Sequence, residues 1–354
     1  MAESTAKNGK GASRVEGTAG LAAHLGVSRW TVSRVLNGHV GVKEETRRRV
    51  LAAMEELGFE PNRLARGLRG VPSGIVGVSF PHLEAMVLAR KSQVLQQELK
   101  RAGHRALFEM PEGDPEVEAD VVRHFLSINV DGIVLIGSTL LPGSPVLEEV
   151  LARGVRIVAV DSRHALPIPR VSMDRGKAME MKLRHLRELG HRKVAVLGLG
   201  SDDMYQPVRR RGLQRAARLL GMDFEKDILF VDEEGHHQQS YRFGALLAGK
   251  VLAIGKAGPT ALFCLNDRIA IGALRGLQEA GMRVPQDYSV IGLDNLPETE
   301  WTNPPLTTVD QNISKLMKKA QQALWGWDGT TRPPHHKVEP VLVVRGTTGR
   351  VRKA

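Results

Sequence analysis

A chain of 354 residues is too long for one ordinary core, and a single cysteine, Cys264, excludes a disulfide framework or a multi-cysteine metal site. No apolar run approaches the ~20 residues that span a bilayer, and the chain opens on Glu, Ser and Lys rather than a hydrophobic signal core, so a soluble cytoplasmic protein is expected. Net charge is +11, and the first 70 residues carry 12 Lys and Arg against 7 Asp and Glu, so basicity is densest where the chain begins, as phosphate contact requires.

In chain order, residues 1–17 are rich in Gly, Ala, Ser and Lys and read as a disordered basic tail. The stretch Leu21-Ala-Ala-His-Leu-Gly-Val-Ser-Arg-Trp-Thr-Val-Ser-Arg-Val-Leu-Asn-Gly38 reads as two short helices broken at Gly26. Leu21, Ala22 and Leu25 share one helical face, and Val32, Val35 and Leu36 share another, with Ser28 placed to cap the second helix. Pressing those faces together leaves Arg29, Trp30, Thr31, Ser33, Arg34 and Asn37 outward. Such a donor-rich face on a slim helix suits the DNA major groove. The competing reading is a plain helical hairpin with a solvated face. A third helix is predicted from Glu44 to Leu57, with Val50, Leu51, Met54 and Leu57 inward and Gly58 as its stop. Its Arg47-Arg-Arg49 run fits phosphate contact and a solvated face equally well. Pro61-Asn-Arg-Leu-Ala-Arg-Gly-Leu-Arg-Gly70 follows as a short basic segment with Leu64, Ala65 and Leu68 at helical spacing.

From residue 74 the pattern alternates. β-rich runs at 75–80, 133–136, 157–160, 194–197, 261–265 and 290–292 are separated by helical segments at 84–102, 177–189, 209–220, 268–280 and 314–324. Alternation of this kind predicts parallel sheets with right-handed crossovers, and about 280 residues of it suggest two doubly wound lobes. Ligands gather at the carboxyl ends of such strands. Asp161, Asn266, Asp267 and Asp294 each follow a strand run, and Arg209 opens a predicted helix. The competing reading makes them caps and lobe-interface residues.

Gly-Val-Ser, then Thr-Val-Ser-Arg-Val-Leu-Asn-Gly, then Pro-Asn-Arg-Leu-Ala-Arg resembles the DNA-binding headpiece and hinge of the lactose-repressor (LacI) family. The resemblance resumes at Asp131-Gly-Ile-Val-Leu-Ile-Gly137, Glu188-Leu-Gly-His-Arg-Lys-Val-Ala195, Pro259-Thr-Ala-Leu-Phe-Cys-Leu-Asn-Asp267, Val284-Pro-Gln-Asp-Tyr-Ser-Val-Ile-Gly-Leu-Asp294 and Pro304-Pro-Leu-Thr-Thr-Val309. It implies an all-α helix-turn-helix headpiece followed by an α/β core of two doubly wound parallel-sheet lobes, periplasmic-binding-protein-like. The implied division is a helix-turn-helix domain at 18–60, a hinge at 61–73 and a two-lobed effector-binding and dimerisation domain at 74–350. The N-lobe would hold about 74–173 and 307–334, and the C-lobe about 174–306 and 335–350. The chain would cross between lobes near Met173, Thr307 and His335.

The resemblance further implies a dimer on a palindromic DNA operator, modulated by a small-molecule effector between the lobes, with no cofactor. Positions matching Arg29 and Trp30 set operator preference, and Asn62, Arg63, Ala65 and Leu68 belong to a hinge helix whose leucine wedges into the minor groove. Asp161, Arg209, Asn266 and Asp294 match positions that hydrogen-bond the effector. An Arg fork and carboxylates suit a hydroxyl-rich ligand such as a sugar or nucleoside. One departure is Pro81-His-Leu-Glu-Ala-Met-Val-Leu88, which stands where the family has Asn-Pro and a pair of aromatics. A flat sugar face would find less ring surface there.

Enzyme readings find little support. Gly198-Leu-Gly200 lacks the third glycine of a dinucleotide fingerprint, there is no phosphate loop, and no Ser or Cys sits in a nucleophile elbow. The His236-His237 and His335-His336 pairs are sequence neighbours that cannot face one metal from a helix. No leucine heptads follow Val341-Leu-Val-Val-Arg345, so a dimer rather than a tetramer is expected. The reading is a ligand-responsive transcription regulator, with a transport-type sugar-binding protein and an effector-independent DNA-bending protein as the rivals.

Overall fold

The computed structural model describes residues 17–36, 41–59, 72–81, 86–200, 205–233, 240–255 and 257–351. The chain divides into two units at Gly74, and each is built around its own core.

The first unit is three helices: α1 (Gly17–Leu25), α2 (Arg29–Leu36) and α3 (Glu44–Glu56). Leu21, Ala22, Val32, Val35, Val50 and Ala53 form its core, with Leu25, Leu36, Met54 and Leu57 packed around them. The α1–α2 break sits at Gly26, whose φ of +64° closes α1 in a conformation that an L side chain resists. Leu51, expected inside, is 50% exposed, and Ala53 takes the inward place on the helix face. The tail, Asn37 and the hinge residues Asn62, Arg63, Ala65 and Leu68 lie outside the described residues.

The second unit holds two parallel sheets. The first takes β1 (Ile75–Ser79), β2 (Arg105–Glu109), β3 (Gly132–Ile136), β4 (Arg156–Val160), β5 (Arg170–Met173) and, from far along the chain, β11 (His335–Val338). Their order is β2-β1-β3-β4-β5-β11, and every neighbouring pair is parallel. Alternate side chains of each strand serve opposite faces. Val76, Val78, Val134, Ile136, Val158 and Val160 meet α4 (Met86–Arg101) and α12 (Ile313–Trp325). Ile133, Leu135, Ile157 and Ala159 meet α5 (Pro115–Ser127) and α6 (Pro145–Ala152).

The second sheet, in the order β7-β6-β8-β9, is built from β6 (Val194–Leu197), β7 (Ile228–Val231), β8 (Ala261–Cys264) and β9 (Ser289–Ile291). Around it pack α7 (Arg175–Glu188), α8 (Gln206–Leu219), the short α9 (Phe224–Asp227), α10 (Tyr241–Ala253) and α11 (Asp267–Glu279). Helices α7 and α8 meet backbone to backbone: a Cβ on Gly212 would lie 2.7 Å from the Cα of Gly176.

Two crossings between the lobes differ from the sequence expectation. Strand β10 (Thr308–Asp310) pairs antiparallel with β12 (Val341–Val343), and Thr307 bridges to Ile291 of the second sheet, so the passage back to the first lobe comes after Asp310 rather than near Thr307. Likewise His335–Val338 lies in register with Arg170–Met173 as a sixth strand of the first sheet, which moves the last passage beyond Val338 rather than near His335. Backbone pairing at the sheet edge decides both, and the local residue types carried no sign of it. Among the described residues no helix is long and apolar enough to cross a membrane.

Candidate functional site

The three-helix unit displays its chemistry on the first turn of α2. The Ser28 hydroxyl accepts the Thr31 N–H at 3.0 Å and hydrogen-bonds the Thr31 hydroxyl at 2.8 Å, so the helix start is fixed by its own side chains. Beyond that cap, Arg29 and Trp30 are exposed, Trp30 at 66%. The Arg34 guanidinium lies 4.6 Å from the Trp30 ring centroid, a stacked cation that stiffens the indole. Thr31, Ser33 and Arg34 are half-buried, so the outward face is narrower than the helical wheel suggests. Of the Arg47-Arg-Arg49 run, Arg49 donates to the Leu25 carbonyl at 3.1 Å and closes the end of α1, and Arg47 lies 3.8 Å from Glu44. Two of the three arginines therefore serve the fold.

The second site lies where strand ends of the two lobes meet. Asp161 follows β4 with φ of +50°, and Asp294 follows β9 with φ of +125°. Non-glycine residues in this region are costly and are held only by surrounding structure, a frequent mark of sites that aim a side chain. Burial alone would raise the pKa of Asp161, but Arg175 at 2.7 Å and Lys91 at 2.6 Å hold its carboxyl well below the usual carboxylate range. Its Oδ1 also accepts the Met173 N–H at 3.1 Å. The carboxylate is thus occupied from within the protein. The Tyr205 hydroxyl donates to the Asp161 backbone carbonyl, and the Tyr205 ring lies 3.5 Å from the Arg175 guanidinium and 5.4 Å from that of Arg209.

Asp294 accepts from the Gln311 amide at 2.5 Å, and burial pushes its pKa up despite the fields of Lys91, Arg209 and Lys182. Arg209 and Asp294 therefore share one electrostatic neighbourhood, with Asp161 joined to it through Tyr205. Asn266 stands apart in role: its side chain accepts the Ile269 N–H at 2.9 Å and caps α11. Next to it, Asp267 is buried, accepts from the Thr308 hydroxyl and from the Leu296 N–H at 2.8 Å, and is pushed up by burial and by Asp294. Lys182 is fully buried, donates to the Cys264 carbonyl at 2.5 Å, lies 3.8 Å from the Phe263 ring centroid, and is lowered to about 7 by burial. Burial pushes the Cys264 thiol up to about 12, which keeps it a neutral core residue.

Lys91, Arg175, Tyr205 and Gln311 escaped sequence reasoning. Tyr205 supplies a ring that the missing aromatics after β1 do not. Its signal was the short spacing to Arg209, and the other three are legible only once both lobes are assembled. Among the described residues no three His, Cys, Asp or Glu side chains cluster as a metal site.

Residues 20–62 match the model of bacterial regulatory proteins of the lacI family, and residues 183–348 match a periplasmic binding protein-like domain. The chain is 34% identical to the HTH-type transcriptional regulator MalR of Streptomyces coelicolor, over 93% of this chain and 96% of that protein. The chain belongs to the lacI family of bacterial regulatory proteins. Within that family it is also 30% identical to catabolite control protein A of Streptococcus mutans, over 86% of this chain and 89% of that one. Among solved structures, the lac repressor dimer bound to operator and the anti-inducer ONPF superposes with a TM-score of 0.79 at 26% identity, covering 93% of this chain and 98% of that one. The family fold, a helix-turn-helix headpiece with a periplasmic-binding-protein-like core, is the one observed.

Proposed function

We propose that this chain is a transcription repressor that binds a palindromic double-stranded DNA operator as a homodimer and answers to a small hydroxyl-rich effector, sugar or nucleoside-like. The observation that carries the reading is the self-capped first turn of α2, which offers Arg29 and Trp30 to base edges from a rigid three-helix core. Thr31, Ser33 and Arg34 follow on the same helix, and Asn37 and the hinge residues Asn62, Arg63, Ala65 and Leu68 extend the contact along the duplex. Solved relatives support both halves: one is the lac repressor dimer bound to operator, another, at 25% identity, a complex of the transcriptional regulator CelR with cellobiose. Arg209 and Asp294 are the effector contacts, since a cation in the first turn of α8 and a carboxylate after β9 share one electrostatic neighbourhood. Asp161 and Asn266 set the pocket's shape: the first braces the lobes, the second caps α11. The protein works by binding, without catalysis, in the cytoplasm.

The test is a binding-site selection with the full-length protein, followed by titration of the selected duplex with candidate sugars and nucleosides. A two-fold-symmetric sequence whose affinity shifts on effector addition is expected. Selection that enriches no sequence refutes the reading.

A further inference from the structure

A cleft of about 570 Å³ opens on the far side of Tyr205, beside strand β5 and the edge strand β11. Neither Arg209, Asn266 nor Asp294 lines it. Its first-lobe wall carries Arg163 after β4, Arg170 of β5 and Lys337 of β11; its second-lobe wall carries Arg175, Arg211 and Arg215. One carboxylate, Asp174, stands among them, and it is already committed to the Lys177 N–H at 3.0 Å and to Lys337 at 3.6 Å.

Some of the cations are neutralised. Arg175 pairs with Asp161 at 2.7 Å, and Arg215 pairs with Glu180 at 3.1 Å. Arg163, Arg170 and Arg211 have no side-chain ion pair or hydrogen bond among the described residues, and they come from both lobes. The local field is positive enough to act on its own members. Burial and the charge of Arg332 lower the pKa of Arg170, and His335 is lowered by burial and by Arg170, Lys337 and His336. Packed like charges in a concavity are a standing electrostatic cost that an anion relieves, and low-dielectric walls focus that attraction. Ser172 and His335, hydrogen-bonded to each other at 2.8 Å, add neutral polar groups, while Val208 and Tyr205 add apolar and ring surface. The volume falls within the range of small-molecule sites, and the mixed lining suits an anion with an organic body better than a bare ion.

We propose that this cleft is a second ligand site, distinct from the Arg209 and Asp294 neighbourhood, and that it takes a small organic phosphate the size of a sugar phosphate or nucleoside monophosphate. Guanidinium forks on both walls bind the phosphate oxygens in charge-assisted pairs, and the organic part rests against Tyr205 and Val208. Because Arg163 and Arg170 belong to one lobe and Arg211 to the other, the bound phosphate cross-braces the lobes.

The experiment is titration calorimetry on the full-length protein with ribose 5-phosphate, AMP, inorganic phosphate and, as the uncharged control, ribose. Either organic phosphate should bind more tightly than inorganic phosphate, and ribose should not compete with it. Arg163 and Arg211 are exposed, so Arg163→Gln and Arg211→Gln leave the fold intact, and each should weaken organic phosphate binding by about tenfold or more. Arg209→Gln should abolish the effector response while organic phosphate still binds, which separates failure of this proposal from failure of the effector reading. Absence of binding by all three phosphates at millimolar concentration overturns the proposal. So does undiminished affinity in the Arg163→Gln/Arg211→Gln double variant, or equal affinity for inorganic and organic phosphate. Loss of non-specific duplex binding in the double variant, with no small phosphate bound, overturns it as well and makes the cleft a DNA-facing surface.

Discussion

The Tyr205 hydroxyl, at the start of α8, donates to the backbone carbonyl of Asp161, one residue beyond β4, while the same ring carries the Arg175 guanidinium at 3.5 Å. One aromatic side chain of the second lobe is thus fastened to a strand end of the first. Tyr205→Phe keeps the ring and its cation contact and removes only the O–H donor. The expected cost is about 0.5–1.5 kcal/mol of unfolding free energy, the net worth of one hydrogen bond. Operator affinity should change its response to effector more than its value without effector. Equilibrium denaturation and operator titration of the variant check this.

Asp161 sits between two buried cations, Lys91 and Arg175. Asp161→Asn leaves both charges without their carboxylate, a change expected to cost about 3–5 kcal/mol. The linkage has a definite sign. The native carboxyl ionises far below the usual range, so above the unfolded value near 4 its contribution is complete, and it is lost as pH falls from there toward the native value. Denaturation midpoints measured between about pH 5 and pH 3 should therefore fall more steeply for the wild type than for the variant.

Lys182 titrates in the opposite direction. Burial lowers it to about 7, so the folded protein gives up this proton while the unfolded chain still holds it. Stability from this group is least below pH 7 and grows as pH rises toward about 10. Asp267 and Asp294, pushed up mainly by burial, work on the acid side, where they favour the folded state protonated and lose that benefit as pH rises. Lys182→Met should flatten the alkaline rise in denaturation experiments while leaving the acid limb in place.

Gly212 and Gly176 touch backbone to backbone, with no room for a methyl group. Gly212→Ala must push α7 and α8 apart, at an expected cost of about 1–3 kcal/mol of overpacking. Gly249, on α10, has open space where a Cβ would go, and Gly249→Ala is the matched control. Thermal unfolding of the two variants should separate clearly, with only the first destabilised.

Arg29→Ala should cost about 1–3 kcal/mol at the selected operator and relax preference at one base pair, because a single Arg fork reads the edge of one guanine. A repeated selection with the Arg29→Ala/Trp30→Ala variant checks it: an unchanged consensus would mean that these residues touch only the phosphate backbone.

Where packing follows local pattern, the sequence was readable. The second and third headpiece helices and β1, β3, β4, β6, β8 and β9 fall within a residue or so of their periodic runs, while α1 begins at Gly17, four residues before its apolar face. Strands β2, β5 and β7 were not read: β2 and β7 lie at the edges of their sheets, and β5 mixes Arg170 and Ser172 with its two apolar residues. In β2, Arg105 and Glu109 flank only three apolar residues at a half-buried sheet edge. Helix α5 could have been found: Asp114 before Pro115 is a cap with a first-turn proline, and the Asp114 carboxylate accepts from Glu116 and Val117 as that pair predicts. The site was half legible. Strand-end carboxylates announce themselves by position, but Lys91, Arg175 and Gln311 come from elements 70 or 14 residues from Asp161 and 17 from Asp294, so only the assembled lobes bring them in. Asn266 is the opposite case: its cap on α11 is a contact three residues along the chain, which the competing reading allowed for, and it uses the oxygen that an effector would otherwise meet.

The contact between Gly176 and Gly212 also makes α7 and α8 a single stiff piece. Arg175 opens one helix and Arg209 lies in the first turn of the other, and both guanidiniums lean on the Tyr205 ring. Whatever fills the space near Arg209 moves the wall that carries Arg211, and the reverse holds with equal force, because coupling between two sites is reciprocal in free energy. Two dissimilar chemical signals would thus be added on one lever before either reaches the DNA.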